Sequence, residues 1–199
     1  MKRLALTVLA VAVTATAAGC GGSGHTSPPT TTSAAATTSG TAALRAEAAS
    51  AATGDIPDNQ VFVVYTDPSA HYAIKYPEGW AQSGAGTNVV IRDKNNIVRI
   101  VVRKGPAGVA SATRDLRALA GVKLVRAPQA QALPSGAAVK AAYSTQSAPN
   151  PVTGKRVTLM VDRYYVPHGG RVAIVDLGTP VGVDNVDAYR LMIQSFRWR

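Results

Sequence analysis

Tyr72-Ala73-Ile74-Lys75-Tyr76-Pro77-Glu78-Gly79-Trp80 begins as a strand and ends as a corner. Tyr72 to Tyr76 is rich in β-formers, Pro77 withdraws a backbone donor, and Glu78-Gly79 supplies the turn, so the strand stops there. Just upstream, Val61-Phe62-Val63-Val64-Tyr65 reads as another strand. Downstream, Asn88 to Arg92 and Ile97 to Arg103 flank Asp93-Lys94-Asn95-Asn96, a run of residues that tolerate positive φ and so predict a hairpin. In the second of these strands Val98, Ile100 and Val102 alternate with Arg99 and Arg103, giving one buried face and one wet, basic face. Ser111 to Ala120 reads as a helix capped by Ser111 or Thr113, with Leu116 and Leu119 on one side and Gly121 as its stop.

Strands then return at Val122 to Arg126, Ala138 to Gln146, Arg156 to Val166 and Arg171 to Leu177. Pro167-His168-Gly169-Gly170 joins the last two, and Ser147 to Gly154, with Pro149 and Pro151, joins the middle pair. Consecutive hairpins pair antiparallel. A closing helix is expected from Asp184 as its cap, with Asp187 in the first turn where negative charge is favourable. Its stripe Val186, Tyr189, Ile193, Phe196 has helical spacing and must pack on the sheet. The expected fold class is α+β: an antiparallel sheet covered by helices.

The other end of the chain carries a different signal. Lys2 and Arg3 precede an uncharged apolar run from Leu4 to Ala18, the n-region and h-region of a secretory signal peptide over residues 1–19. The run is shorter than the about 20 apolar residues that a spanning helix needs. Ala17-Ala18-Gly19-Cys20 resembles the bacterial lipobox, in which small residues directly precede a cysteine whose thiol takes up a diacylglyceryl group before cleavage. The alternative reading of Cys20 is a buried cysteine or half of a disulfide. It is the only cysteine in the chain and sits among Gly19, Gly21 and Gly22, so an intramolecular bridge is ruled out. Two acyl chains anchor stably where one is marginal, at about 0.8 kcal/mol per buried CH₂.

Gly21 to about Asp55 is almost wholly Gly, Ser, Thr, Pro and Ala, a composition that cannot bury a core. Ala42 to Ala52, with Arg45 and Glu47, could form a transient helix too short to stand alone. The expected organisation is a signal peptide over 1–19, a lipidated, disordered tether over 20–56 and one domain over 57–199. A flexible tether of about 35 residues has a mean reach of roughly 35 Å and stretches to about 120 Å.

Tyr72 to Trp80 and the closing Ser195-Phe196-Arg197-Trp198 look like the two ends of the PsbP-like fold, and the element order agrees from about Val61 to Trp198. That superfamily includes the thylakoid-lumen photosystem II extrinsic protein, a nuclear import factor and actinobacterial lipoproteins of the LpqN type. The resemblance implies a module that binds or stabilises partner macromolecules, and it supplies no catalytic set to carry over. Together with the lipobox and the abundance of Ala, Val, Gly and Arg, it points to an actinobacterial lipoprotein.

Tyr76, Pro77, Gly79 and Trp80 read first as a structural corner, with Trp80 exposed at a ligand site as the sharper alternative. His71 and His168 have no Cys, His or carboxylate at metal-ligand spacing, Asp67 being the only suggestive neighbour of His71. Neither a Gly-x-Ser-x-Gly elbow nor a phosphate-binding glycine loop is present. No catalytic residue, cofactor or metal site is expected.

Without Lys2 and Arg3 the chain holds 19 basic and 11 acidic residues. Nine of the basic residues (Arg92, Lys94, Arg99, Arg103, Lys104, Arg114, Arg117, Lys123 and Arg126) fall in one stretch with only Asp93 and Asp115 against them. A solvated face explains such a run without any partner. A surface for an anionic partner is the functional reading. An extracytoplasmic location disfavours nucleic acid and leaves an anionic lipid, a wall glycan or an acidic envelope protein. The expected function is a membrane-anchored, non-enzymatic binding or accessory module of the cell envelope. A carrier of an apolar lipid or glycolipid is the alternative, and an envelope hydrolase a weaker one.

Overall fold

The computed structural model describes residues 54–150 and 152–199, together with Ala42 and Arg45, both helical. The signal segment, Cys20 and the rest of the tract ahead of Gly54 lie outside the described residues. Ten strands and two helices follow in the order β1 (Phe62–Asp67), β2 (Tyr72–Pro77), β3 (Ala81–Ala85), β4 (Asn88–Asp93), β5 (Asn96–Lys104), α1 (Val109–Arg117), β6 (Val122–Leu133), β7 (Gly136–Gln146), β8 (Thr158–His168), β9 (Arg171–Pro180), α2 (Val186–Ser195) and β10 (Arg197–Trp198). They form a seven-stranded antiparallel sheet ordered β3-β4-β5-β9-β8-β7-β6 and a three-stranded one ordered β1-β2-β10. Over residues 54–199 the fold is therefore mainly β with two short helices, where an α+β class, an antiparallel sheet covered by helices, was expected.

The core lies between the two sheets. Val98, Ile100 and Val102 of β5 face Leu177, Val175 and Ala173 of β9 rung by rung, all buried. Each fully buried aliphatic side chain of this kind contributes about 1.5–3 kcal/mol. The small sheet and α2 close this face through Tyr72, Ile74, Tyr189, Met192, Ile193 and Phe196. The opposite face is covered by α1 through Ala112 and Leu116.

The corner behaves structurally. Pro77 is buried, Gly79 takes φ +87°, and Tyr76 and Trp80 pack half-buried against the core. Its strand meets the chain's other aromatic motif in space: β10 pairs with β2, Phe196 stacks on Tyr72 at 5.9 Å, and Trp198 meets Phe196 edge-on at 5.7 Å.

Several local expectations change for identifiable reasons. β6 runs to Leu133 because register shifts between Leu124 and Gln129 absorb Ala127-Pro128, which reads in sequence as a break. Pro128 and the cations Lys123 and Arg126 also suit β6 to an edge position. β3 has no β-pattern of its own and exists through its ladder to β4. The N-cap of α1 is Gly108, because the hydroxyls of Ser111 and Thr113 donate back to the carbonyls of Gly108 and Val109 at 2.8 Å each. The N-cap of α2 is Asn185, one residue after Asp184. Val186 is 62% exposed, and Met192 takes the buried place the stripe gave it. In the β4–β5 turn the positive φ falls on Lys94, at 52°, and not on an asparagine.

Candidate functional site

Beyond the reach of the small sheet, the α2-covered face of the large sheet opens into a groove of 740 Å³. Its floor is made by Lys140 and Ala142 of β7 and Met160, Asp162 and Tyr164 of β8. One wall is α2, through Val186, Tyr189 and Ile193, and the facing wall is β6 with the β6–β7 turn, through Val125, Leu133 and Pro134. Thr179 to Val183 close one end. Tyr189 is fixed by donating its hydroxyl to the Gly178 carbonyl at 2.6 Å. Gly178 has no room for a side chain, since a Cβ would lie 2.7 Å from Ile97 Cγ2.

The floor's charges hold one another. Register places Lys140 opposite Tyr164 and diagonal to Asp162, and Lys140 Nζ lies 2.7 Å from Asp162 Oδ2 and 5.2 Å from the Tyr164 ring centroid. Burial pulls the Lys140 ammonium down, but its bonds to Asp162 and Tyr164 more than offset this and hold it above its ordinary value. Burial also raises the Tyr164 phenol. Near neutral pH the floor thus presents a fixed ammonium and a neutral hydroxyl, groups that orient a ligand and are not poised to exchange protons.

The residues between these point the other way. Arg163 and Asp176, 2% and 4% exposed, form a two-pronged ion pair at 2.6 and 2.8 Å beneath α1. Arg163 is flanked by the rings of Tyr143 and Tyr165, and Arg99 reaches Asp176 from β5 at 3.7 Å. Burial pushes the Tyr143 phenol up to about 12.

The nine-cation stretch is not one surface. Arg92, Arg99 and Arg103 lie on the α1-covered face of the hairpin, where Arg99 is engaged by Asp176 and Arg103 by Asp115 of α1. Arg114 and Arg117 are exposed on α1 itself. Lys104 ends β5 opposite Arg171, at the far end of the sheet from Lys94. The β6–β7 register sets Lys123 opposite Ser144 and Arg126 opposite Ala142, on the groove's face. Arg126 lines the groove. Sequence reasoning missed Lys140, Asp162 and Tyr164; the signal was a charged pair, Asp162-Arg163, inside an otherwise apolar strand.

Asp67 is engaged by its own loop and by the β3–β4 turn. Its carboxylate accepts from Tyr65 Oη, Ser69 N, Ser69 Oγ, Ala70 N and Gly86 N at 2.5 to 2.9 Å. Among the described residues no group of three or more His, Cys, Asp or Glu side chains is arranged to hold a metal ion. Nor is any described helix long and apolar enough to cross a membrane.

The solution structure of cyanobacterial PsbP (CyanoP) from Synechocystis sp. PCC 6803 superposes with a TM-score of 0.50 at 13% identity, over 73% of this chain and 98% of that one. The fold is PsbP-like. LpqN of Mycobacterium tuberculosis, described as involved in cell envelope biogenesis, is also similar (TM-score 0.40, 16% identity, 70% of this chain and 91% of that one). The Ran-binding protein Mog1p of Saccharomyces cerevisiae is also similar (TM-score 0.44, 9% identity, 69% and 95%). No protein-family model and no curated protein matches the sequence.

Proposed function

We propose that the chain is a lipid-anchored, non-enzymatic binding or accessory module of a cell envelope, displayed on the extracytoplasmic face, and that the groove between α2 and the β6–β7 hairpin is its partner site. The observation that carries the reading is the groove: apolar walls around a few fixed polar groups are what a binding site needs. The ion pair of its floor, Lys140 with Asp162, is satisfied internally at 2.7 Å and supplies specificity instead of reactivity. Neither His71 nor His168 lines it, which makes hydrolysis the reading it supports least. The lipobox-like Ala17-Ala18-Gly19-Cys20 supports the attachment, and the polar tract after it supports a tether.

The walls also favour a second reading. Leu133, Val183, Val186 and Ile193 offer an apolar lining that suits a carrier of an apolar lipid or glycolipid.

The test uses the chain's single cysteine. With Cys20 acylated, Gln194→Cys in the groove is the only free thiol, and Ser83→Cys on the exposed edge strand β3 is its control. In intact cells, residue 194 should be alkylated several-fold more slowly by a membrane-impermeant maleimide than after detergent extraction, while residue 83 reacts alike in both. Equal reactivity of residue 194 before and after extraction would contradict a partner in the groove.

A further inference from the structure

The chain enters the domain at one end of the large sheet, and that end is chemically distinctive. The Gly54 carbonyl accepts from Asn96 Nδ2 at 2.5 Å and Asn185 Nδ2 at 3.1 Å, and Ile56 N donates to Asn185 Oδ1 at 2.8 Å. The first residue of the described domain, Gly54, therefore sits beside Asn96. The same Asn96 lines a hollow of 420 Å³ between the β4–β5 turn and the loop joining β7 to β8. Arg92, Lys94, Asn95 and Asn150 also line it, and no carboxylate does. Arg92 is exposed and has no ion-pair partner among the described residues. Lys155 and Arg156, also exposed, follow on the same loop.

The loop adds a second feature. Its tip residue, Val152, is 90% exposed. Asn150 Oδ1 accepts from both Val152 N and Thr153 N at 2.9 Å, and Asn150 N and O bond Lys155 O and Gly154 N at 2.8 Å each. A hydrogen-bonded turn thus presents an apolar side chain to solvent on the loop that carries Lys155 and Arg156 and that lines the hollow holding Arg92 and Lys94. That combination is what an interfacial contact with an anionic bilayer requires: charge for the headgroups and an apolar tip for the acyl boundary. Asp93 lies between Arg92 and Lys94 in the β4–β5 turn, and Asp55 and Asp184 adjoin residues of the Asn185 clamp in sequence; none of the three lines the hollow.

We propose that this end docks on an anionic phospholipid bilayer, the hollow taking a headgroup phosphate between Arg92 and Lys94 while Val152 enters the interface. The proposal rests on the reading that the chain is anchored at a membrane. It goes further by fixing which end meets the lipid.

The experiment uses residues 20–199 with Cys20→Ser, which retains the whole described fold and carries no acyl chain. Vesicles of phosphatidylcholine alone, or with phosphatidylglycerol, are sedimented with it at low and high salt. Binding should require phosphatidylglycerol and fall at high salt. Combined Arg92→Glu and Lys94→Glu should weaken it by at least about tenfold. Arg114→Glu with Arg117→Glu, the same change of charge on α1, should weaken it far less. Equal losses from the two pairs, or equal binding to phosphatidylcholine alone, would overturn the proposal. In the same cysteine-free background, a polarity-sensitive dye at Val152→Cys should shift to the blue on the anionic vesicles, and one at Arg114→Cys should not. A bound protein with no shift at residue 152 would also overturn it. The mass of the N-terminal peptide of the native protein reports acylation of Cys20 independently, so either idea can fail without the other.

Discussion

Truncating Arg163 to alanine is expected to cost about 3–5 kcal/mol of folding free energy, the cost of leaving a buried charge without its partner. Asp176 is 4% exposed and takes both prongs of the Arg163 guanidinium. With Arg163 gone, its remaining cation is Arg99 at 3.7 Å, whose side chain is 43% exposed. Asp176→Leu alone should cost a comparable amount, since it strands the guanidinium between Tyr143 and Tyr165. Arg163→Met combined with Asp176→Leu should cost much less than the sum of the single changes, because a buried ion pair and an apolar pair of similar volume differ little in stability. Denaturant unfolding of the four proteins measures this directly. Additive losses would mean that the two groups do not act as a pair across β8 and β9.

The second large effect is expected at Asp67. An asparagine there keeps one acceptor oxygen and turns an amide donor toward groups that are themselves donors, so Asp67→Asn should cost about 3 kcal/mol at neutral pH. Burial would raise this carboxyl, but the bonds from Ala70 N, Ser69 Oγ, Tyr65 Oη and Gly86 N more than offset it and hold the group well below the usual carboxylate range. A folded-state value below the unfolded one stabilises above the unfolded value and loses that contribution as pH falls. The gap between the native protein and Asp67→Asn should therefore be constant above about pH 5 and narrow progressively below about pH 4. A gap that widened on acidification would reverse the sign of this account. The loop matters beyond its own stability, because Asp67 ties β1 to Gly86 in the β3–β4 turn and so joins the two sheets.

Much of the fold was legible, and the residues explain which parts. On β5 the alternation of Val98, Ile100 and Val102 with Arg99 and Arg103 reports a strand buried on one face, and the register with β9 fulfils it. Proline at the corner and Gly-Gly between β8 and β9 mark turns that the backbone does make. The site was not legible in the same way. Asp162 and Arg163 are neighbours in sequence, yet strand geometry sends them to opposite faces, where each meets a partner from another strand. Nothing local distinguishes that arrangement from a solvated pair. The groove's walls come from β6 and α2, some sixty residues apart. The β6 wall was hidden because Pro128 reads as a stop while the edge strand carries it through a bulge. The nine cations between Arg92 and Arg126 illustrate the converse. Contiguity in sequence suggested one basic surface, but a hairpin, a helix and an edge strand distribute them over both faces of the sheet, and Asp176 and Asp115 engage two of them.

The central claim is that the groove between α2 and the β6–β7 hairpin holds the partner of an anchored envelope module. In-cell photocrosslinking from that groove tests it most directly. A photoreactive residue at Gln194 should give one discrete adduct, and the Lys140→Glu change on the groove floor should abolish it. The same residue at Ser83 should give none. A polypeptide in the adduct would identify the accessory role, and a lipid mass the carrier role. Adducts that form equally from Ser83 and Gln194, or that survive Lys140→Glu undiminished, would contradict the account.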